Sequence, residues 1–129
     1  MTRDEVMALS DEELRIKAAE SLGLRVTVAA DGGVWEIGDG GTRRYRDAVV
    51  PDYPHDIAAA WELGWMVCQQ RGMWMRVTTP FLAGEPCWAG FCPQQVTGWN
   101  GRMDVEASGD RPEQAITRAF VLAMTQEKP

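Results

Sequence analysis

Two prolines three residues apart, Pro51 and Pro54, constrain this chain more than any other local feature. Neither can donate a backbone hydrogen bond, so a sheet must stop before Pro51 and a helix can only start near Pro54. The stretch Val50-Pro51-Asp52-Tyr53-Pro54-His55-Asp56-Ile57 therefore reads as the junction between an extended segment and the longest helical pattern. Asp52 is the expected N-cap, with Pro54 in the first turn, where a missing amide hydrogen costs little. The helix is expected over 53–71. Ile57, Ala60, Trp61, Gly64, Val67 and Cys68 share one face at helical spacing, and Gly72 ends it. Gly64 within that face leaves room for close approach of a neighbouring element.

Upstream, residues 1–9 read as an irregular lead-in. Ser10-Asp11-Glu12-Glu13 has the form of a capping box and opens a helix over 10–22, with Leu14, Ala18, Ala19 and Leu22 apolar and Gly23 as its stop. A hairpin is expected over 24–38. Leu24 to Ala29 alternates, Asp31-Gly32-Gly33 turns, and Val34 to Ile37 returns. Thr42 to Arg46 reads as a short edge strand.

Downstream, strands are expected over 73–107. Met73 to Thr79 alternates, Cys87 to Cys92 is extended between prolines, and Arg102 to Ala107 alternates charged with apolar residues. A last helix is expected over 111–125, with Asp110 as N-cap and Glu113 answering it. Three apolar helix stripes and Gly-rich hairpin turns imply an α+β fold. The expected architecture is a three-layer α/β/α sandwich, with a largely antiparallel mixed sheet of about five strands and three helices. Nothing divides the chain, so residues 1–129 read as a single domain.

A formal net charge of −6 argues against general nucleic-acid binding. No apolar run approaches a membrane span, and the polar, acidic start lacks the pattern of a signal peptide. The expected location is the cytoplasm. Three cysteines, Cys68, Cys87 and Cys92, cannot all pair within one chain, and packed free thiols are the simplest account. Six tryptophans are many for this length, and core packing is the ordinary use of each. Contacts at an oligomer interface or a ligand are the alternative.

Few residues point to chemistry. His55 is the sole histidine and stands between Asp52 and Asp56, a pattern open to general-base or metal work, though a site needs converging partners. Cys87 and Cys92 lack the paired Cys-x-x-Cys knuckle of a zinc site. Gly38-Asp39-Gly40-Gly41 does not match a phosphate-binding loop and reads as a turn. Arg43, Arg44 and Arg46 around Tyr45 offer what an anionic, base-containing ligand needs, namely guanidinium groups and an aromatic ring. A solvated edge strand is the competing account of the same residues.

Glu13-Leu14-Arg15-Ile16-Lys17-Ala18-Ala19-Glu20 followed by Leu22-Gly23 resembles the start of the bacteriophage "phage ABA sandwich domain" proteins. Val50-Pro51-Asp52-Tyr53 with Asp56-Ile57 and an alanine-rich helix resembles their middle motif, and Arg118-Ala119-Phe120-Val121-Leu122-Ala123 their final helix. The resemblance implies a small phage or prophage accessory protein with an α/β/α sandwich. It implies no catalytic residues and no cofactor.

Together these features suggest a non-enzymatic binding or interaction protein in the cytoplasm of a bacterial host. Its expected partners are a second copy of itself or a small anionic ligand bound by Arg43, Arg44, Tyr45 and Arg46. In this reading Asp52, Tyr53, His55 and Asp56 form a helix-start motif, and no residue binds metal. Alternatives are a sponge for a small anionic nucleotide signal of host defence, a small metal-dependent hydrolase using His55, Asp52 and Asp56, and a virion assembly component.

Overall fold

A computed structural model describes residues 1–28, 33–36, 50–80, 82–93 and 105–125 of the 129-residue chain. Arg43, Arg44, Tyr45, Arg46, the Asp31-Gly32 turn and the Gly98 to Gly101 turn lie outside the described residues.

The lead-in is a helix, α1 (Arg3–Met7). It has its own capping box, with the Thr2 hydroxyl accepting from the Glu5 amide and the Glu5 carboxylate from the Thr2 amide. The expected box at Ser10 forms in the same way and starts α2 (Asp11–Ser21). Strands β1 (Val26–Val28) and β2 (Val34–Glu36) pair antiparallel, with Val28 opposite Val34.

Helix α3 runs Ile57–Arg71, four residues shorter than expected at its start. Asp56, not Asp52, is its N-cap, accepting from the Ala59 amide at 3.2 Å. The residues around Pro54 form a turn instead, in which the Tyr53 and His55 amides donate to Pro51 and Asp52 carbonyls at 2.9 Å. Gly72 closes α3 in the left-handed conformation, φ 61°, which side chains disfavour.

Strands β3 (Met73–Thr78), β4 (Cys87–Pro93) and β5 (Val105–Gly109) form an antiparallel sheet in that order. Among the described residues the fold is thus α+β with four helices, and its five strands are split between sheets of two and three. The expected single sheet of about five strands does not appear there, because β1 and β2 pair only with each other. Register sorts the larger sheet into two faces. The rows Met75–Phe91–Val105 and Val77–Ala89–Ala107 face inward, with Phe91 and Ala107 fully buried. The rows Arg76–Gly90–Glu106 and Thr78–Trp88–Ser108 face the other way.

Helix α4 (Pro112–Thr125) packs on β5 and β4, while α3 covers β3 and flanks α4. Helix α2 lies against α4 as well. The sequence marks Ala115, Ile116, Ala119, Leu122 and Ala123 as the apolar face of α4. In the structure Thr117, Phe120 and Val121 are buried too, so the helix is enclosed nearly all round. Gly64 sits where α3 meets its neighbours. A Cβ there would collide with the Met75 thioether and lie 3.7 Å from Ile116.

The start of α4 differs from expectation. Pro112 is its first residue, and the Asp110 amide donates to Gln114 Oε1 at 2.8 Å, so a glutamine carboxamide replaces the expected Asp110–Glu113 box. Gly109 makes this turn compact. A Cβ there would stand 2.8 Å from the Ala115 backbone nitrogen and 3.0 Å from Gln114 Oε1. Backbone cannot yield cheaply, so Gly109→Ala should lower the unfolding free energy by about 1–3 kcal/mol in urea titration.

Candidate functional site

The junction before α3 is held from several sides. The Val50 amide donates to the Val34 carbonyl at 3.0 Å, and Arg15 of α2 donates to the Val50 carbonyl through Nε at 3.0 Å and through Nη2. Tyr53 is buried in the core. Because Asp56 does the capping, the Asp52 carboxylate is left for other work.

That work is a polar cluster around His55. Its Nδ1 lies 3.0 and 3.1 Å from the two Asp52 carboxylate oxygens. Its Nε2 lies 3.1 Å from Asp11 Oδ2, at the first position of α2. Arg111 Nη2 donates to the same Asp11 oxygen at 3.1 Å and to the Pro54 carbonyl at 3.0 Å. Gln114 Nε2 donates to Asp11 Oδ1 at 2.7 Å, and Arg111 Nε stands 3.4 Å from Glu113 Oε1. The starts of α2, α3 and α4 are therefore joined through one carboxylate. Burial works against ionisation of Asp11, but the hydrogen bonds from Gln114 and Arg111 and the charges of Arg111 and His55 outweigh it and hold the carboxyl below its ordinary value.

The sequence singles out His55, Asp52 and Asp56. The structure joins the first two and turns Asp56 toward the backbone of α3. Asp11, Arg111 and Gln114 are the members that sequence reasoning missed. Arg111 is 100 residues from Asp11, and no local spacing announces a contact at that range. Chemically the cluster is a clamp. Each imidazole nitrogen lies within hydrogen-bond distance of a carboxylate, Nδ1 of Asp52 and Nε2 of Asp11. Among the described residues, no group of three or more His, Cys, Asp or Glu is placed to hold a metal ion. The three thiols are free, and burial pushes the Cys68 thiol up, with Cys92 adding to that effect against a hydrogen bond from the Met75 backbone.

Two further features stand out. On the outward sheet face, Gly90 has no side chain between Arg76 and Glu106. A depression of about 180 Å³ opens there, lined by Arg76, Thr78, Trp88, Ala89, Gly90 and Glu106. The Arg3 guanidinium sits 5.1 Å from the centre of the Trp88 ring.

The second feature corrects the expected core face of α3. Ala60, Leu63, Gly64 and Val67 point inward, but Ile57, Trp61 and Trp65 are 48%, 53% and 58% exposed. Trp61 lies about 100° around the helix from Ala60 and so belongs to another side. Trp74 on β3 is also 58% exposed. Core packing, the ordinary use of tryptophan, does not describe Trp61, Trp65 or Trp74.

No protein-family model matches the chain, and no curated protein matches it. Among solved structures it is similar to the crystal structure of a phage protein from Bacillus cereus ATCC 14579, at 20% identity and a TM-score of 0.57. The match covers 95% of this chain and 94% of the other. At that identity the likeness is one of fold.

If the cluster is a clamp, its members should matter to stability in proportion to their partners. Asp11→Ala strands Gln114 and Arg111 and should cost roughly 1–3 kcal/mol in urea denaturation. His55→Ala removes only half-exposed pairs and should cost less than about 1 kcal/mol. The pH dependence has a definite sign. Since folding depresses the Asp11 value, its contribution is present above the unfolded value near 3.8 and is lost as pH falls through the lower folded value. Thermal melts of Asp11→Asn should accordingly fall less between neutral pH and strong acid than those of the parent.

Proposed function

We propose that this chain is a phage or prophage accessory protein that works by binding another macromolecule rather than by catalysis. The observation that carries this reading is the ridge of Ile57, Trp61 and Trp65 exposed along α3. Large aromatic side chains are concentrated at the centres of protein interfaces and contribute most of the binding energy there, whereas a free-standing domain keeps few of them in water. The clamp at Asp11 and His55 supports the same reading, because its groups are committed to one another. The fold likeness to a phage protein supplies the phage setting. A cytoplasmic site in the bacterial host and membership of the phage ABA sandwich family belong to this reading. Among the described residues, no helix is long and apolar enough to cross a membrane.

A second reading has its own observation. The depression on the outward sheet face sets a guanidinium, a hydroxyl and an indole (Arg76, Thr78 and Trp88) around one hollow, which suits a small anionic ligand with a ring, such as a nucleotide signal of host defence. Glu106 on the same rim opposes an anion, so this reading ranks second. The Arg43, Arg44, Tyr45 and Arg46 cluster would serve the same ligand class.

Affinity capture from phage-infected cells separates these accounts. The full chain should retain a macromolecular partner, and Trp61→Glu with Trp65→Glu should lose it while folding normally by circular dichroism. His55→Ala should retain it, which the hydrolase alternative does not require. Capture unaffected by the two glutamates would remove the ridge from consideration, and recovery of virion components would favour an assembly role. Calorimetric titration with cyclic nucleotides, giving heat that Arg76→Ala abolishes, would favour the small ligand instead.

A further inference from the structure

The ridge on α3 has a geometry that narrows its partner. Ile57, Trp61 and Trp65 stand at i, i+4 and i+8, and side chains at that spacing form one continuous row along a helix. The neighbouring positions Ala58, Glu62 and Gln69 are exposed as well. Taking about 250 Å² for a whole tryptophan, the three large residues leave roughly 350 Å² of mostly apolar surface in water. Two such rows face to face would remove up to roughly 700 Å² from solvent, below the range of stable interfaces and within that of weak, transient contacts.

A second copy of the same helix meets the shape of this row. Rows of i±4 spacing on two helices interleave at a crossing angle near −50°, the commonest arrangement of packed helices. A two-fold axis through the middle of α3 makes the strip complementary to itself, with Trp61 of one copy beside Trp65 of the other. Offset indole pairs gain attraction beyond the area they bury. Charge agrees with shape. The net charge of −6 opposes association of two copies in general, yet the strip carries a single charge, Glu62, and its arginine-bearing end is committed elsewhere, since Arg71 donates to the Ala123 carbonyl at 2.7 Å. A strongly charged partner would find nothing to pair with here.

We infer that the Ile57–Trp61–Trp65 ridge is the contact through which two copies of this chain form a reversible two-fold dimer. The inference rests on the reading of that ridge as an interaction surface and adds the identity of the partner. The small area sets the strength. The dimer forms and dissociates with concentration and is not permanent.

Sedimentation velocity on the purified full chain, from low micromolar to several hundred micromolar, tests this. The weight-average mass should climb from one copy toward two. Trp61→Glu with Trp65→Glu should raise the dissociation constant by about a hundredfold or more, and Trp61→Phe with Trp65→Phe should retain the dimer. Trp74→Glu, on the outward face of β3, should leave it unchanged. A mass of one copy throughout, or a dimer that survives the two glutamates, overturns the inference. The circular dichroism spectrum of each variant identifies loss of fold, and the phenylalanine pair supplies the comparison if the glutamates unfold the chain. Monomeric protein whose ridge still captures a partner from infected cells would sink the dimer and leave the broader reading standing. Loss of both would sink both.

Discussion

Enclosure of α4 is the constraint on which the rest of the structure depends. The helix has the three-stranded sheet on one side and α2 and α3 on others, and Ile116, Ala119, Phe120 and Val121 are fully buried. Fully burying a residue such as Ile116 or Phe120 contributes on the order of 1.5–3 kcal/mol. A helix so enclosed cannot turn most of its polar groups to water, so they are satisfied within the protein, Arg118 Nε being buried without a partner. The Thr117 and Thr125 hydroxyls donate back to the Glu113 and Val121 carbonyls at 2.7 Å. Arg71 takes the Ala123 carbonyl at the end of the helix, and the Met1 ammonium takes that of Thr125 at 3.2 Å. These two cations sit where the helix dipole is negative. Arg118 leaves the helix to reach the Ser108 carbonyl on β5 at 2.9 Å.

The junction at Val50 to Asp56 solves the complementary problem of bringing the chain onto that helix. Two prolines remove two donors from a segment that must still be fixed in place. Its carbonyls do the fixing, accepting from Arg15 at Val50 and from Arg111 at Pro54. Those arginines belong to α2 and to the start of α4, so the segment ties elements that are distant in sequence. The Asp11 carboxylate completes the tie by taking Arg111, Gln114 and His55 together. A histidine between two acids looks like a catalytic arrangement when read along the chain. In space the second acid on it is Asp11 and not Asp56.

Local features of the sequence carried through to the structure where local chemistry decides them. The Ser10 capping box, the Gly72 terminator and the alternation of Met73 to Thr78 are of this kind. Thr2-Arg3-Asp4-Glu5 held the same box signature and was legible, although the segment reads as irregular when taken without it. The competition between Asp52 and Asp56 for the cap of α3 was not legible. Both are good caps, and the turn around Pro54 together with the grip of Arg111 selects the later one. The direction of α3 was also hidden. Ile57, Trp61 and Val67 fit one loose apolar arc, and only the position of Met75 and Ile116 against Gly64 shows which part of it faces the protein. Of the Asp11 cluster only the His55–Asp52 pair was legible, since Asp11, Arg111 and Gln114 come from other helix starts with no common spacing.

The composition of α4 bears on how such a protein changes over time. Ala115, Ala119 and Ala123 recur every fourth residue and are buried, so its neighbours approach a nearly bare backbone along that row. Any larger side chain there would push those neighbours apart, whereas the surrounding elements can exchange one apolar residue for another of similar volume. The intolerance is concentrated in a few small residues whose type is common in any chain. Two chains can therefore share this backbone path while having few residues in common. The phage protein of similar fold shares 20% of residues over 95% of this chain.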